Sequence, residues 1–466
     1  MELAAITRYN SVGKELYSLG SPLEELERIN EDRMERLNAV RALAVKKGQS
    51  REKKEPWWNV AYRFFKRFLR GFSIGFGVQC LFRLGPMLLR SKGDPNKVLD
   101  VLKHMFHREQ TGVGLFLGSF LCIFNAIMKV LRKDKGVVGE YRSVIAAVCA
   151  SYSLRFVPTS SARVSVGLFF GIRGAESLIR YWARSSYIPA SVSSFAHTPT
   201  AMICLASAQI IWGGLMARDT VNPAYLKFLD AHAGISLANR ECIADTLRGS
   251  GAVKLAHLSK TNELRASAGL DALAGTEADF VCRLVHPAYE TCFKNALPFW
   301  IAAFRRAVPV YIPVFLIPTV LFKFRHAVTQ PFETSLQLVK GVTRSSLFLS
   351  LYASLSWLAV DIGYKYLGLR GRLVPLFAGI IGGSSLLVEK ESRRLEISLY
   401  VVSQGLQSFW QALHSKGYGP DFSDPGLVLF SCAMGAIMYV YTHKPEFIRS
   451  TYIRCLLSLS LSLSLS

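Results

Sequence analysis

Long apolar runs separated by short basic turns constrain the fold of this chain more than any other feature of its sequence. A helix of about 18 apolar residues or more can span the hydrocarbon core of a bilayer. A water-soluble helix of that length would instead carry charged residues at helical spacing. Average composition does not decide the class, because soluble domains can also be 50% hydrophobic. The arrangement of the runs therefore predicts an all-α, polytopic membrane helix bundle.

The apolar runs number about ten, five in each half of the chain, each about as long as a membrane span. They lie at about residues 68–90, 112–131, 141–158, 164–183 and 199–217, and then at about 297–322, 344–363, 372–388, 395–413 and 426–442. We expect five segments, which are a soluble helical arm (1–55), a first membrane helix repeat (56–230), a polar connecting segment (231–295), a second membrane helix repeat (296–450) and a low-complexity tail (451–466).

The two halves of the sequence resemble each other. Residues 113–120 align with residues 345–352 at an offset of 232 (347 − 115), and residues 161–169 align with residues 392–400 at an offset of 231 (394 − 163). The second alignment also matches two later pairs, Gly174 with Gly405 and Ser177 with Ser408. Because duplicated helix bundles are a common construction of multi-span proteins, this pattern predicts two related halves.

The charge balance is strongly basic, with 56 Lys and Arg residues against 33 Asp and Glu residues and a net charge of +23. Such a charge suits either nucleic acid or anionic lipid headgroups. Here the basic residues flank apolar runs, as in residues 63–70 and 129–133. This placement favours the lipid bilayer as the partner, because flanking cations anchor membrane helices, and we expect no nucleic-acid partner.

Small residues recur four positions apart within the apolar runs. In lipid no hydrophobic force drives helices together, so close backbone approach across small side chains supplies the contact. We therefore predict helix-packing roles for four pairs: Gly71 with Gly75, Gly114 with Gly118, Gly167 with Gly171, and Gly379 with Gly383.

Three ionisable residues interrupt the apolar runs, namely Arg173, Glu176 and Asp361. Charges at membrane depth are costly, so they pair with one another or line a water-filled cavity. Two interpretations stay open. Arg173 and Glu176 form an i,i+3 ion pair and Asp361 pairs with Lys365, or the three residues are the polar lining of a transport pathway.

Sequence motifs give little support for enzymatic chemistry. The sequence contains no phosphate-binding Walker loop, no GxSxG element and no HExxH motif. Cys282, His286 and Cys292 could bind a metal ion if a fourth ligand came from elsewhere. Without that ligand, the spacing favours a structural cap before the next helix. We therefore predict a non-enzymatic protein and assign no catalytic, cofactor-binding or metal-binding residue.

Several stretches together resemble the transmembrane protein 135 family, which is distantly related to glycine-rich subunits of the mitochondrial inner-membrane translocase. The matching stretches cover most of residues 65–445 and are residues 70–76 through Cys80, residues 114–120, residues 223–229, His286-Pro287 with Cys292, residues 311–313, and residues 388–394. The half with the His-Pro-Cys pattern comes first in that family and second here, so the two halves stand in exchanged order.

The resemblance implies a multi-pass protein of an organelle membrane, with the peroxisomal membrane the first expectation and the mitochondrial membrane the second. It implies a role with protein partners in membrane organisation, organelle dynamics and lipid metabolism, and it carries over no catalytic residue. The alternative hypotheses are a transporter or channel that uses the interface between the two repeats, and a translocase-like scaffold.

Overall fold

Helices account for the regular structure of this computed structural model, and the part of the chain that it describes contains no strand. The structure describes residues 56–91, 108–133, 136, 138, 141–185, 187, 197–249, 253–275, 279–322, 324–418 and 422–443. The predicted soluble arm (1–55) and the predicted tail (451–466) lie outside the described residues. The all-α prediction is confirmed for the rest.

The α-helices are numbered in chain order. They are α1 (Trp57–Ser91), α2 (Arg108–Val130), α3 (Arg142–Ala150), α4 (Ser160–Arg184), α5 (Thr198–Met216), α6 (Pro223–Ala233), α7 (Leu237–Arg248), α8 (Leu255–Ser267), α9 (Phe280–Val285), α10 (Cys292–Phe322), α11 (Phe324–Thr329), α12 (Pro331–Lys365), α13 (Leu373–Gly383), α14 (Glu391–His414) and α15 (Pro425–His443). Short 3₁₀ segments follow α2, α3, α5 and α13, at Leu131–Lys133, Ser151–Phe156, Arg218–Thr220 and Ser384–Val388.

Five of the described helices are long and apolar enough to cross a bilayer. They are α2 (Thr111–Val130), α5 (Thr198–Met216), α10 (Cys292–Val320), α12 (Pro331–Lys365) and α15 (Pro425–His443). Length and composition thus identify a membrane protein in contact with lipid, as the sequence predicted.

The predicted count of about ten spans is not confirmed. The runs at 141–158 and 372–388 fold as the short helices α3 and α13, each followed by a 3₁₀ segment, so neither forms one long helix. The runs at 164–183 and 395–413 fold as α4 and α14, which carry several charged residues. The run at 68–90 lies in α1, where Gln79 and Arg83 interrupt the apolar sequence.

The chain divides into two compact units, Met1–Pro189 with Asp424–Ser466, and Ala190–Ser423. We call them the first and the second unit. The first holds α1 to α4 and α15, and the second holds α5 to α14. The segment boundaries inferred from the sequence mark repeats and linkers, which are not the same as compact units. The division into two units does not test them, and they stay predictions.

Aromatic side chains fill the core of the first unit. Phe430 of α15 is buried, and its ring lies 5.4 Å from that of Phe116 and 5.9 Å from that of Phe120, both on α2. Phe170 of α4 approaches the same ring at 5.2 Å. All three are edge-to-face contacts, which stabilise a core beyond the burial of apolar area.

The predicted glycine pairs of α1 and α2 lie where these helices meet. A Cβ atom added to Gly71 would lie 2.9 Å from the Cα atom of Gly118, and one added to Gly75 would lie 3.0 Å from the Cα atom of Gly114. Such distances are shorter than van der Waals contact, so the two backbones approach closely because these residues lack side chains.

Glycines also bring α4 against α15, but not at every predicted position. A Cβ atom on Gly167 would lie 2.5 Å from the carbonyl oxygen of Gly426, and one on Gly174 would lie 3.2 Å from the Cα atom of Ala433. A Cβ atom on Gly171 would meet no atom within 4 Å among the described residues. The packing contact of α4 therefore lies at Gly167 and Gly174, and the pairing predicted for Gly171 is corrected.

In the second unit α10 and α12 form a helical hairpin, and α5 packs against α13 and α14. Gly379 and Gly383 of α13 face the backbone of α5. A Cβ atom on Gly383 would lie 2.7 Å from the Cα atom of Cys204, and one on Gly379 would overlap Ala208. These two glycines thus occupy the tightest contact between α13 and α5.

The segment predicted as a polar connection is an ordered part of the second unit. It contains helices α7 to α9, which bury Ile243, Leu247 and Phe280 against Trp357 and Val360 of α12. Its apolar side chains complete the core, and it also buries polar side chains such as Arg240, Asp245 and Thr261.

Candidate functional site

The second unit contains a cavity of about 370 Å³ between α5, α6, α7, α10, α12 and α14. This volume falls within the range of about 300–1,000 Å³ typical of small-molecule sites. Its walls are mainly apolar and include Ile203, Ile210, Leu226, Phe348, Ile397 and Val401. Three of the walls, α5, α10 and α12, are candidate membrane spans, so the cavity is bounded by helices suited to lipid.

Helix α6 forms one wall of the cavity, and its sequence explains its limits. The Asn222 side chain accepts hydrogen bonds from the backbone amides of Ala224 and Tyr225, and Pro223 occupies the first helical position. Gly234 ends the helix in the left-handed conformation, with a φ of 73°. Asn before Pro and a terminal Gly are strong helix start and stop signals.

Charged residues lie near both ends of α5 around the cavity, and the arginines among them are already paired. Asp230 accepts hydrogen bonds from Arg240 and, at 2.7 Å, from Arg218. Arg393 lies 2.9 Å from the buried carboxylate of Glu389. These two groups therefore give the cavity hydrogen-bonding capacity, while the charges of their arginines are compensated.

The pKa of the Asp230 carboxyl reflects two opposing effects. Burial acts to raise this pKa, but the hydrogen bonds from Arg218 and Arg240 outweigh burial, and the pKa lies below its ordinary value. The carboxylate consequently stays charged at neutral pH and holds the two arginines at the edge of the cavity.

Arg173 and Glu176, predicted as a polar lining, lie on α4 in the first unit and are both buried. The Glu176 carboxylate pairs with Arg180 at 2.9 Å, and the Arg173 guanidinium lies 5.0 Å from the ring of Phe169. The contact with Arg180 is sufficient to explain a buried Glu176 without a transport pathway.

Asp361 lies on α12 in the second unit, where Oδ2 of its carboxylate lies 3.6 Å from Nε2 of His286. The structure brings it together with the Cys282, His286 and Cys292 side chains, and their potential ligand atoms all lie within 4.8 Å of one another. All four residues are buried. Burial and the neighbouring Asp361 carboxylate raise the pKa of the Cys282 thiol. Asp361 is thus the fourth potential metal ligand that was not identifiable from the sequence.

Sequence reasoning did not detect the cavity. Its lining residues come from six helices between residues 203 and 401, and apolar residues on membrane helices give no signal that distinguishes a cavity wall from a lipid-facing surface. The start and stop signals of α6 were the one local indication that a short helix lies beside these spans.

Comparison with known proteins does not indicate a function for this chain, so a functional proposal has to rest on the geometry described above. No protein-family model matches the chain, and no solved structure matches it. The resemblance to the transmembrane protein 135 family accordingly stays a prediction from the sequence.

Proposed function

We propose that this chain is a non-enzymatic, multi-pass membrane protein whose second unit binds a neutral, lipid-like amphiphile. The observation that carries the proposal is the apolar cavity beside three candidate membrane spans. Its apolar walls suit an acyl chain or a similar apolar body, because burial of apolar surface supplies the binding energy.

The pairing of the arginines around the cavity supports a neutral polar end on the ligand. Arg240 and Arg393 are each paired with a carboxylate, so a phosphate or carboxylate headgroup would have to displace an existing partner. Hydroxyl groups of Tyr311 and Tyr352, which line the same cavity, suit a hydrogen-bonding but uncharged headgroup.

Photolabelling with a matched pair of lipids tests the proposal. The probes are photoreactive hexadecanol and photoreactive palmitate, which share one chain length and differ in headgroup charge at neutral pH. We expect the alcohol to label peptides of α5, α12 and α14 in the purified chain more strongly than palmitate does. Equal labelling of peptides throughout the chain would contradict a defined site.

A cavity-filling variant provides the specific control. Gly214 lines the cavity, and a Cβ atom at this position meets open space, so Gly214→Phe fills the cavity without a backbone clash. Leu205→Phe on the same helix is the matched control, because Leu205 is 71% exposed. Labelling should fall in Gly214→Phe and stay unchanged in Leu205→Phe.

We further propose that the two units are related by duplication, with one helix exchanged. Gly174 packs on Ala433 and the matching Gly405 packs on Ala206, with Cβ-to-Cα distances of 3.2 and 3.1 Å. The 19-residue helix α5 follows α4 but belongs to the second unit, and the 19-residue helix α15 follows α14 but belongs to the first.

A matched backbone contact also supports the duplication. Arg163 donates a hydrogen bond to the Pro158 carbonyl at 3.3 Å, and the matching Arg394 donates to the Glu389 carbonyl at 2.9 Å. Cysteines introduced at 174 and 433, and in a second variant at 405 and 206, should crosslink to a similar extent. Crosslinking of only one pair would count against the relationship.

The organelle is a proposal that rests on the family resemblance. We propose the peroxisomal membrane first and the mitochondrial membrane second, with a role in membrane organisation and lipid metabolism through protein partners. Imaging of a tagged chain against markers of both organelles tests this placement, and a signal confined to another membrane would overturn it.

The second candidate function is transport, and the same cavity favours it, because a site for an amphiphile beside membrane spans can serve as an intermediate in its transfer. Transfer of photoreactive hexadecanol between donor and acceptor vesicles, lost in Gly214→Phe, would support transport. Binding without any acceleration of transfer would support the first proposal alone.

The translocase-like scaffold is tested separately by crosslinking to precursor proteins.

A further inference from the structure

We infer that Cys282, His286, Cys292 and Asp361 form a structural zinc site in the second unit. The inference is independent of the cavity, because it rests on a different group of side chains. Cys282 lies on α9, His286 directly follows this helix, Cys292 begins α10, and Asp361 lies near the end of α12.

The hydrogen bonding of His286 orients one ring nitrogen toward the other three residues. Its Nδ1 atom lies 2.8 Å from the carbonyl oxygen of Tyr289, and a carbonyl can only accept, so Nδ1 carries the proton. The Nε2 atom then has a free lone pair, and it lies 3.6 Å from Oδ2 of Asp361. A histidine that donates one ring N–H to a carbonyl and directs the other nitrogen inward is the usual arrangement of a zinc ligand.

Two buried polar atoms of this cluster lack a hydrogen bond of normal geometry among the described residues. They are Nε2 of His286 and Oδ1 of Asp361. Two unpaired acceptor atoms buried in one cluster are unfavourable unless a proton or a cation satisfies them. A divalent cation satisfies both atoms at once.

The distances between ligand atoms match a tetrahedral zinc ion. The Sγ atoms of Cys282 and Cys292 lie 3.8 Å apart. Two thiolates, each about 2.3 Å from a tetrahedral zinc ion, are separated by about 3.8 Å. A disulfide would require about 2.05 Å. An imidazole and a carboxylate on the same ion are separated by about 3.4 Å, close to the separation of His286 and Asp361.

The composition and burial of the cluster favour a structural role. Four protein ligands complete the coordination of zinc and leave no position for a substrate, which distinguishes structural sites from catalytic ones. Two sulfurs with one imidazole favour zinc over magnesium or calcium, which prefer oxygen ligands. The ion would connect the start of α10 to the end of α12 and so hold the two ends of this helical hairpin together.

Metal analysis of the full-length chain tests the site. The chain, purified in detergent without chelator, should contain about one zinc per chain by elemental mass spectrometry. Cobalt in place of zinc should give the intense visible absorption of a tetrahedral thiolate site. Zinc affinity should fall by more than about 10-fold in Cys292→Ser and in Asp361→Ala.

Cys242→Ser is the matched control, because Cys242 is a buried cysteine of the same unit that contacts Thr261 at 3.3 Å and lies outside the cluster. This variant should keep its zinc. Should the ligand variants fail to fold, the wild-type chain still decides the matter: phenanthroline should lower its Tm, and added zinc should restore it.

Two results would overturn the inference. One is a folded wild-type chain that neither contains zinc nor takes it up on titration, which would leave a cluster of hydrogen-bonded thiols. The other is a disulfide between Cys282 and Cys292 in the chain isolated from cells, because a disulfide removes both thiolate ligands.

Discussion

Glu389 is an almost fully buried carboxylate in the second unit, with 1% of its side chain exposed. It accepts a hydrogen bond from Ser345 at 2.7 Å and pairs with Arg393 at 2.9 Å. These contacts connect α12 to the start of α14 across the 3₁₀ segment that follows α13. A buried charge of this kind contributes to stability only while its partners remain in place.

We predict that Glu389→Ala lowers the free energy of unfolding by about 2–3 kcal/mol, because Arg393 and Ser345 then lose their partner. The effect is at the lower end for a buried pair, since the Arg393 side chain is 35% exposed and partly screened. Glu391→Ala is the control, with 89% of its side chain exposed. Denaturant titration in one detergent compares the two variants, and equal losses would contradict the prediction.

The lowered pKa of Asp230 predicts how the stability of the second unit changes in acid. The hydrogen bonds from Arg218 and Arg240 hold the pKa of this carboxyl below its unfolded value despite burial. A carboxyl with a lowered folded pKa stabilises the fold above its unfolded pKa of about 3.9, and this contribution is lost as pH falls through the folded pKa.

The Tm of the wild-type chain should therefore decrease below about pH 4 more steeply than that of Asp230→Asn, which lacks the titrating group. Arg218 and Arg240 stay charged throughout this range, so they do not add a second transition. Asp219→Asn is the control, because Asp219 is an exposed aspartate beside Arg218 on the 3₁₀ segment Arg218–Thr220. A parallel pH profile for Asp230→Asn and wild type would contradict the assignment.

At the scale of elements, close contact between glycine backbones determines how the helices pack. Gly379 on α13 faces the backbone of α5, where a Cβ atom would overlap Ala208, whereas a Cβ atom on Gly171 of α4 would meet open space. Both glycines belong to the same type of sequence pattern, so the pattern identifies candidates and only the packing shows which of them are in contact.

Gly379→Leu should destabilise the second unit by about 3 kcal/mol or more, because the new side chain has no space without separating α13 from α5. Gly171→Leu should change stability by less than about 1 kcal/mol. Unfolding of both variants, followed in the same detergent, tests the difference. Comparable destabilisation by the two substitutions would show that the close contact does not control packing.

At the scale of the whole molecule, five apolar helices and a net charge of +23 predict an integral membrane protein. The chain should stay in the membrane pellet after alkaline carbonate extraction, because spans of this length bury apolar surface in lipid that water cannot solvate. A peripheral membrane protein serves as the control and should be released. A chain that remains folded and monomeric in plain buffer without detergent would contradict the membrane assignment.

The sequence by itself determined the helical class and the membrane environment. Both follow from local properties, because the length and polarity of a run such as residues 198–216 decide whether a helix can span lipid. The same local reasoning did not fix the number of spans, because the structure identifies five candidates among the described helices. The run at 164–183 has suitable length, but Arg173, Glu176 and Arg180 place too much charge within one helix.

Only the tertiary structure decided which distant residues meet. Asp361 follows Cys292 by 69 positions (361 − 292), and the antiparallel hairpin of α10 and α12 brings the two residues together. The cavity likewise depends on six helices whose order in the chain gives no indication of their contacts. The physical reason is that side-chain packing is not local: a sequence pattern specifies one face of one helix, whereas a site needs the faces of several helices at a defined distance and angle.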